Sequence, residues 1–189
     1  MDDLDARLNK ILPKITSDEF LAGRGLGNEV AFHIFDYPPE RELRVRDYLK
    51  TLVEHAPNRR PGIRVRVVDL FDFVLDHLRD RNLLDRALRL QREKGDEALS
   101  KALAGPLEDA KLREPFVRAA EPESNDLVIL TGAGAAWPLV RVHSLLNNLH
   151  PVMGKTPLIV FYPGRYDGLS LRLFGKFSSN YYRAFQLIT

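Results

Sequence analysis

The 189-residue sequence predicts an α/β fold: a single-domain, three-layer structure with a mostly parallel sheet of about five strands and a helical insertion over roughly residues 70–123. Three observations predict it. Strand-like runs at 29–37 and 63–70 flank a stretch with helical periodicity, the order that produces parallel pairing. Two further runs, Asp126–Thr131 and Thr156–Tyr162, read as buried strands, the second near-continuously apolar, as a strand covered on both faces is. The first of these enters Gly132-Ala133-Gly134 and then a helical pattern, the place where an open α/β sheet presents its working surface.

The elements follow in order. Leu4, Leu8, Ile11, Leu12 and Ile15 form one helical stripe, a docking helix that Pro13 is expected to kink or end. Ala22-Gly23-Arg24-Gly25-Leu26-Gly27-Asn28 resembles a phosphate loop in composition, but it precedes a strand. A dinucleotide fingerprint follows a strand and opens a helix, so this stretch reads better as a connector. Glu29–Tyr37 is the first strand, with Asp36 at its end and Pro38-Pro39 stopping it.

From Glu40 to Ala56, the positions Val45, Tyr48, Leu49, Leu52, Val53 and Ala56 give an amphipathic helix with a mixed-charge outer face. Ile63–Leu70 is the second strand. Arg64 and Arg66 alternate with Ile63, Val65 and Val67, which predicts an edge strand with one solvated face. From Asp69 to Glu123 no strand is evident. Helical stripes at Phe71–Leu78, Leu83–Leu88 and Ala98–Leu103 are punctuated by Gly95 and Gly105-Pro106, making a candidate partner-docking insert.

Beyond the Gly132 turn, the next helix is expected to carry Pro138 in its first turn and to bury Val142, Leu145, Leu146 and Leu149. Thr156–Tyr162 is then a central strand, which Pro163-Gly164 is expected to end. Ala184–Ile188 reads as a last edge strand.

Composition limits function. Lys and Arg number 28 against 26 Asp and Glu, a net charge of +2, so no general positive field favours nucleic acid, and direct DNA contact is expected to be weak or indirect. The absence of cysteine excludes disulfides, thiolate metal sites and thiol nucleophiles, and fits a reducing cytoplasm. The acidic N-terminus lacks the features of a signal peptide, and no apolar run has membrane-spanning length. The expected localisation is cytoplasmic, with no membrane contact.

Most catalytic motifs fail on inspection. Gly154-Lys155-Thr156 copies the end of a P-loop, but the required upstream glycine is Leu149 and a strand follows where a helix should. The five histidines do not fall at metal-ligand spacing, and His33 reads as a strand residue. Asp36, Asp69 and Asp167 stand at predicted strand ends, where solvated carboxylates are common.

Two loops remain, both expected on the same sheet edge. In one, N–H groups around Gly132 and Gly134 could hold an anion or a carbonyl. Alternatively, the small residues serve a tight turn with Trp137 as packing anchor. In the other, Arg165, Tyr166 and Asp167 offer a planar fork, an aromatic surface and an acceptor, suited to a protein contact or to an ordinary turn. The candidate ligand or partner contacts are Gly132, Gly134, Trp137, Arg141, Arg165, Tyr166 and Asp167. No catalytic residue, metal ligand or cofactor is expected.

Several stretches in one order resemble the BrxB family of bacterial BREX phage-resistance clusters: GRGLGNEVAFHIFDY (23–37), TG-x-G-x-x-WP (131–138), RVHSLLNNL (141–149), FYPGRYDGLSLRLFG (161–175) and NYYRAFQLI (180–188). The resemblance implies a cytoplasmic antiviral component encoded beside a methyltransferase, a large ATPase and the alkaline-phosphatase-like PglZ. It carries no family active site. It implies a non-enzymatic adaptor that scaffolds other BREX proteins, PglZ first among them. The alternative from the residues is a degenerate nucleotide-binding or hydrolytic α/β domain.

Overall fold

The computed structural model describes residues 3–22, 32–180 and 184–189. The connector at Gly23–Asn28, the start of the first strand at 29–31 and Tyr181-Tyr182-Arg183 lie outside the described residues.

Helix α1 (Asp3–Ile15) buries Leu4, Leu8, Ile11 and Ile15, the stripe its periodicity dictates, and continues past Pro13 for two residues. A short helix α2 (Asp18–Leu21) follows, its first turn capped by Ser17. Strand β1 (Phe32–Tyr37) is buried at every position. A 3-10 turn at Pro39–Arg41 leads into α3 (Glu42–Arg59), which buries Val45, Leu49, Leu52 and Ala56. The Tyr48 hydroxyl donates to the Leu8 carbonyl at 2.7 Å and docks α1 on α3.

Strand β2 (Val65–Asp69) passes directly into α4 (Leu70–Asp80), because the Asp69 side chain accepts from the amides of Phe71 and Asp72 and caps the helix. Helices α5 (Leu84–Ala104) and α6 (Asp109–Ala120) complete the crossover to β3 (Leu127–Thr131). Gly95, at φ 78° and ψ −179°, breaks α5 where the sequence is punctuated.

After β3 come α7 (Ala133–Ala136) and α8 (Val142–Leu149), then β4 (Leu158–Tyr166), β5 (Ser170–Leu173), β6 (Phe177–Asn180) and β7 (Phe185–Gln186). Among the described residues the sheet runs β2-β3-β4-β1-β7, all parallel, with β5 pairing antiparallel to β4 and β6 to β5. Strand β2 ends the sheet, as its alternating arginines predict. The parallel core has the five strands expected; the β5–β6 hairpin adds to it.

Alternation along the strands divides the interior into two cores. Phe32, Ile34, Val128, Leu130, Leu158 and Val160 face α4, α6 and α8, whereas Phe35, Ile129, Ile159 and Phe161 face α1 and α3. The result is three layers, with helices on both faces of a mostly parallel sheet.

Two expectations are corrected. Pro163-Gly164 does not end β4: the strand runs on to Tyr166, and Gly164 lets the Arg172 carbonyl approach where a Cβ would stand. Pro138 is not in the first turn of a continuing helix. Trp137, as the residue before proline, is held extended at φ −73° and ψ 139°, so α7 stops at Ala136 and α8 begins only at Val142. The Trp137–Pro138 bond is cis.

Candidate functional site

The carboxyl ends of the parallel strands carry the residues singled out by the sequence. Asp69 ends β2 and Thr131 ends β3, and the two are register partners. Thr131 Oγ1 donates to Asp69 Oδ2 at 3.1 Å, while Asp69 Oδ1 accepts from Phe71 N at 2.9 Å. Gly132 then turns the chain at φ 71°, and a Cβ there would fall inside the Asp69 carboxylate. Gly134 is tightly packed but less severely constrained, since its Cβ would meet the Phe174 ring at 3.0 Å and Pro163 at 3.1 Å.

These contacts decide what the turn can hold. An anion beside Gly132 would meet a carboxylate already in place, and the Phe174 ring covers the backbone at Gly134. The two glycines are therefore accounted for by close packing, and the turn is a poor phosphate cradle.

Trp137 leaves this turn and packs between two aromatics of the hairpin. Its ring lies 4.4 Å from that of Phe177 and 6.3 Å from that of Phe174, the second nearly perpendicular. Phe174 holds its position from a left-handed backbone at φ 53°, an uncommon conformation for a bulky side chain. Beside this aromatic group opens a cleft of about 400 Å³ lined by Trp137, Arg141, His143, Tyr162, Lys176 and Phe177, with Ser178 and Ser179 at its margin.

The electrostatics of the cleft are one-sided. Arg141 and Lys176 are exposed, and none of the lining residues is a carboxylate. Burial and the Arg141 charge hold the His143 imidazole below its ordinary pKa, and Ser144 Oγ lies 3.1 Å from its Nε2. Burial raises the Tyr162 hydroxyl, which therefore stays protonated. Asp109 on α6 is near enough to feel Arg141, yet burial dominates and raises its pKa.

The second loop lies apart from this cleft. Arg165 is exposed and lines a different hollow of about 610 Å³ with Arg7, Lys10 and Asp36. Tyr166 is 2 % exposed, and its hydroxyl donates to the Ala184 carbonyl at 2.7 Å, tying the tail to the hairpin. Asp167 accepts from Leu169 N at 3.0 Å and Ser170 N at 2.7 Å, and these amides hold its carboxyl below the ordinary range. Tyr166 thus presents no aromatic surface, and Asp167 shapes the hairpin turn.

Asp36 is likewise engaged. It accepts from Arg7 Nη2 at 2.6 Å and from Tyr166 N at 3.0 Å, joining α1, β1 and β4. All three strand-end aspartates therefore serve caps, turns or ties between elements. His33 sits in β1 beside the Phe20 ring at 4.7 Å. Among the described residues no group of three His, Asp or Glu side chains is placed to hold a metal ion, and no helix is long and apolar enough to cross a membrane.

Trp137 and Arg141 are thus brought together, while Arg165 is not. Lys176, Phe177, Tyr162 and His143 complete the cleft without having been singled out, and Phe174 backs Trp137 from outside it. For Lys176 and Phe177 the visible signal is the aromatic–Gly–Lys–aromatic run Phe174–Phe177, which follows the alternating Leu169, Leu171 and Leu173.

A family model for BREX protein BrxB matches residues 66–187. A BREX protein BrxB from Escherichia coli O9:H4 (strain HS) is 43% identical over 186 residues, covering 98% of this chain and 92% of the relative. A BREX protein BrxB from Bacillus cereus (strain H3081.97) is 39% identical over 191 residues, covering 100% of this chain and 99% of the relative. No solved structure matches the chain.

Proposed function

The chain belongs to the BrxB family of BREX proteins, and we propose that it is a non-enzymatic adaptor of that anti-phage system, holding larger subunits together in the cytoplasm. The observation that carries this reading is the cleft walled by Trp137 and Phe177. It combines a half-buried tryptophan, a phenylalanine that is 45% exposed and two exposed cations, the mixture of rigid aromatic anchors and charge that concentrates binding energy at protein interfaces. The strand-end carboxylates, the candidates for acid–base chemistry, are occupied in structural hydrogen bonds.

Among BREX subunits, PglZ is the expected partner. Co-expression of the tagged chain with each BREX protein, followed by affinity purification, is expected to retain PglZ. Deletion of the gene is expected to abolish phage resistance. Recovery of no BREX subunit, together with full resistance after deletion, would overturn the adaptor role. A degenerate nucleotide-binding domain would need the Gly132 turn to face an anion, against the Asp69 carboxylate. Calorimetry with millimolar ATP, GTP and dinucleotides is accordingly expected to give no binding heat, and a saturable heat would favour the nucleotide reading.

A further inference from the structure

We infer that the cleft beside Trp137 receives an extended acidic segment of a partner protein, laid along β6 with an apolar side chain seated against the aromatic wall that Trp137 and Phe177 form together. The inference rests on the adaptor reading and specifies the chemistry of its contact.

Shape gives the first argument. A cleft of about 400 Å³ admits a large side chain with part of its backbone. Its aromatic wall is formed by Trp137 and Phe177, and the latter is left 45% exposed. Strand β6 pairs only with β5 among the described strands, so its other side can take an added strand. Side chains alternate along an extended segment, so every second one would point into the cleft past Ser178 and Ser179.

Charge gives the second. Arg141 and Lys176 stand at the rim with no carboxylate among the lining residues. Asp109 on α6 feels Arg141 but does not line the cleft, so it leaves the cleft side of the guanidinium open to an incoming carboxylate. A Glu or Asp on the incoming segment would supply the missing counter-charge, with the planar guanidinium of Arg141 suited to a carboxylate. An acidic segment is favoured over a nucleic acid strand because, among the described residues, the cleft offers only two charged side chains, Arg141 and Lys176, too few to track a phosphate backbone. The Asp69 carboxylate beside the Gly132 turn disfavours phosphate there, and the whole chain carries only +2.

Trp137 is the single tryptophan of the chain, so its emission reports the cleft directly. The probe is a tryptophan-free synthetic peptide of about ten residues alternating Glu with Leu and Phe, with a counterpart carrying Lys for Glu. The acidic peptide is expected to shift Trp137 emission saturably, and binding should weaken as salt rises. Arg141→Glu with Lys176→Glu should weaken it about tenfold or more, whereas Arg141→Lys with Lys176→Arg should stay within about twofold. Both double variants lie at exposed positions, and thermal unfolding should confirm that they fold as the parent does.

An unchanged emission with the acidic peptide would overturn the inference. So would equal binding of the Lys peptide, of a single-stranded oligonucleotide of matched charge, or of the charge-reversed protein. The same variants in the PglZ purification separate the two readings. If PglZ is retained equally by parent and charge-reversed chain, the adaptor role stands and the cleft assignment falls. If the parent retains no BREX subunit but the acidic peptide titrates Trp137, the cleft chemistry stands and the adaptor role falls.

Discussion

The Asp69 carboxylate fills the space that a side chain on Gly132 would need, so the end of β2 and the turn after β3 are built as one unit. Gly132→Ala should therefore suffer twice, from a left-handed backbone at φ 71° and from displacement of the cap that Asp69 provides to α4. Together these predict a loss of about 2–4 kcal/mol in urea unfolding. The pair can be separated by a double-mutant cycle. In an Asp69→Ala background, Gly132→Ala should cost only the backbone part, about 1–2 kcal/mol. Strict additivity would show that the two residues do not share the space.

Sequence periodicity was enough to locate the parallel core, because edge and central strands have distinct compositions. Arg64 and Arg66 marked an edge, while Leu127–Leu130 and Leu158–Phe161 were apolar throughout. The hairpin escaped because Pro163-Gly164 has the composition of a strand stop. In the fold, Gly164 instead permits β5 to approach, and Pro163 still accepts a hydrogen bond from Phe174 N at 3.0 Å. The cleft was only half legible for the same reason. Trp137 and Arg141 are close in sequence, but Tyr162, Lys176 and Phe177 join them only once the hairpin folds back over the Gly132 turn, a tertiary event with no local periodicity.

Arg165 and Arg172 are direct cross-strand partners in the β4–β5 hairpin, and both are exposed. Like charges placed opposite each other oppose pairing, and Asp167 relieves Arg172 only at 3.7 Å. Arg165→Thr should raise stability by about 0.2–1 kcal/mol at low salt, while Arg165→Lys should leave it near the parent. Because the pair is solvent-exposed, the gain should shrink as salt is raised to about 0.5 M. A gain independent of salt would point to strand propensity rather than repulsion.

The long crossover between β2 and β3 contributes directly to the main core. Phe116 of α6 is fully buried, with its ring edge-on to Phe73 of α4 at 5.5 Å, in the same cluster as Val128, Leu130 and Val160. Phe116→Ala should cost about 3–5 kcal/mol and lower a single unfolding transition. That outcome would support reading 1–189 as one cooperative domain. A variant in which circular dichroism loses helix first, at a temperature where the rest stays folded, would instead make the crossover an independently melting unit.

His33 gives the chain a pH dependence whose sign follows from its burial. The side chain is 4% exposed between the rings of Phe20 and Phe185, and its Nδ1 has no hydrogen-bond partner among the described residues. Burial, with a smaller push from the Lys14 charge, lowers its pKa from 6.5 to about 4. Between these values the unfolded chain binds a proton that the folded chain refuses. The stabilisation from keeping His33 neutral is therefore complete above pH 6.5 and is lost as pH falls towards about 4. The whole span corresponds to roughly 3 kcal/mol. His33→Leu cannot take up that proton in either state. Urea titrations at pH 7, 6, 5 and 4.5 should show the parent losing stability relative to His33→Leu across this range, with the gap closing or reversing as acid is added. Curves that stay parallel would mean that the imidazole titrates alike in both states, and that its place in β1 imposes no acid sensitivity.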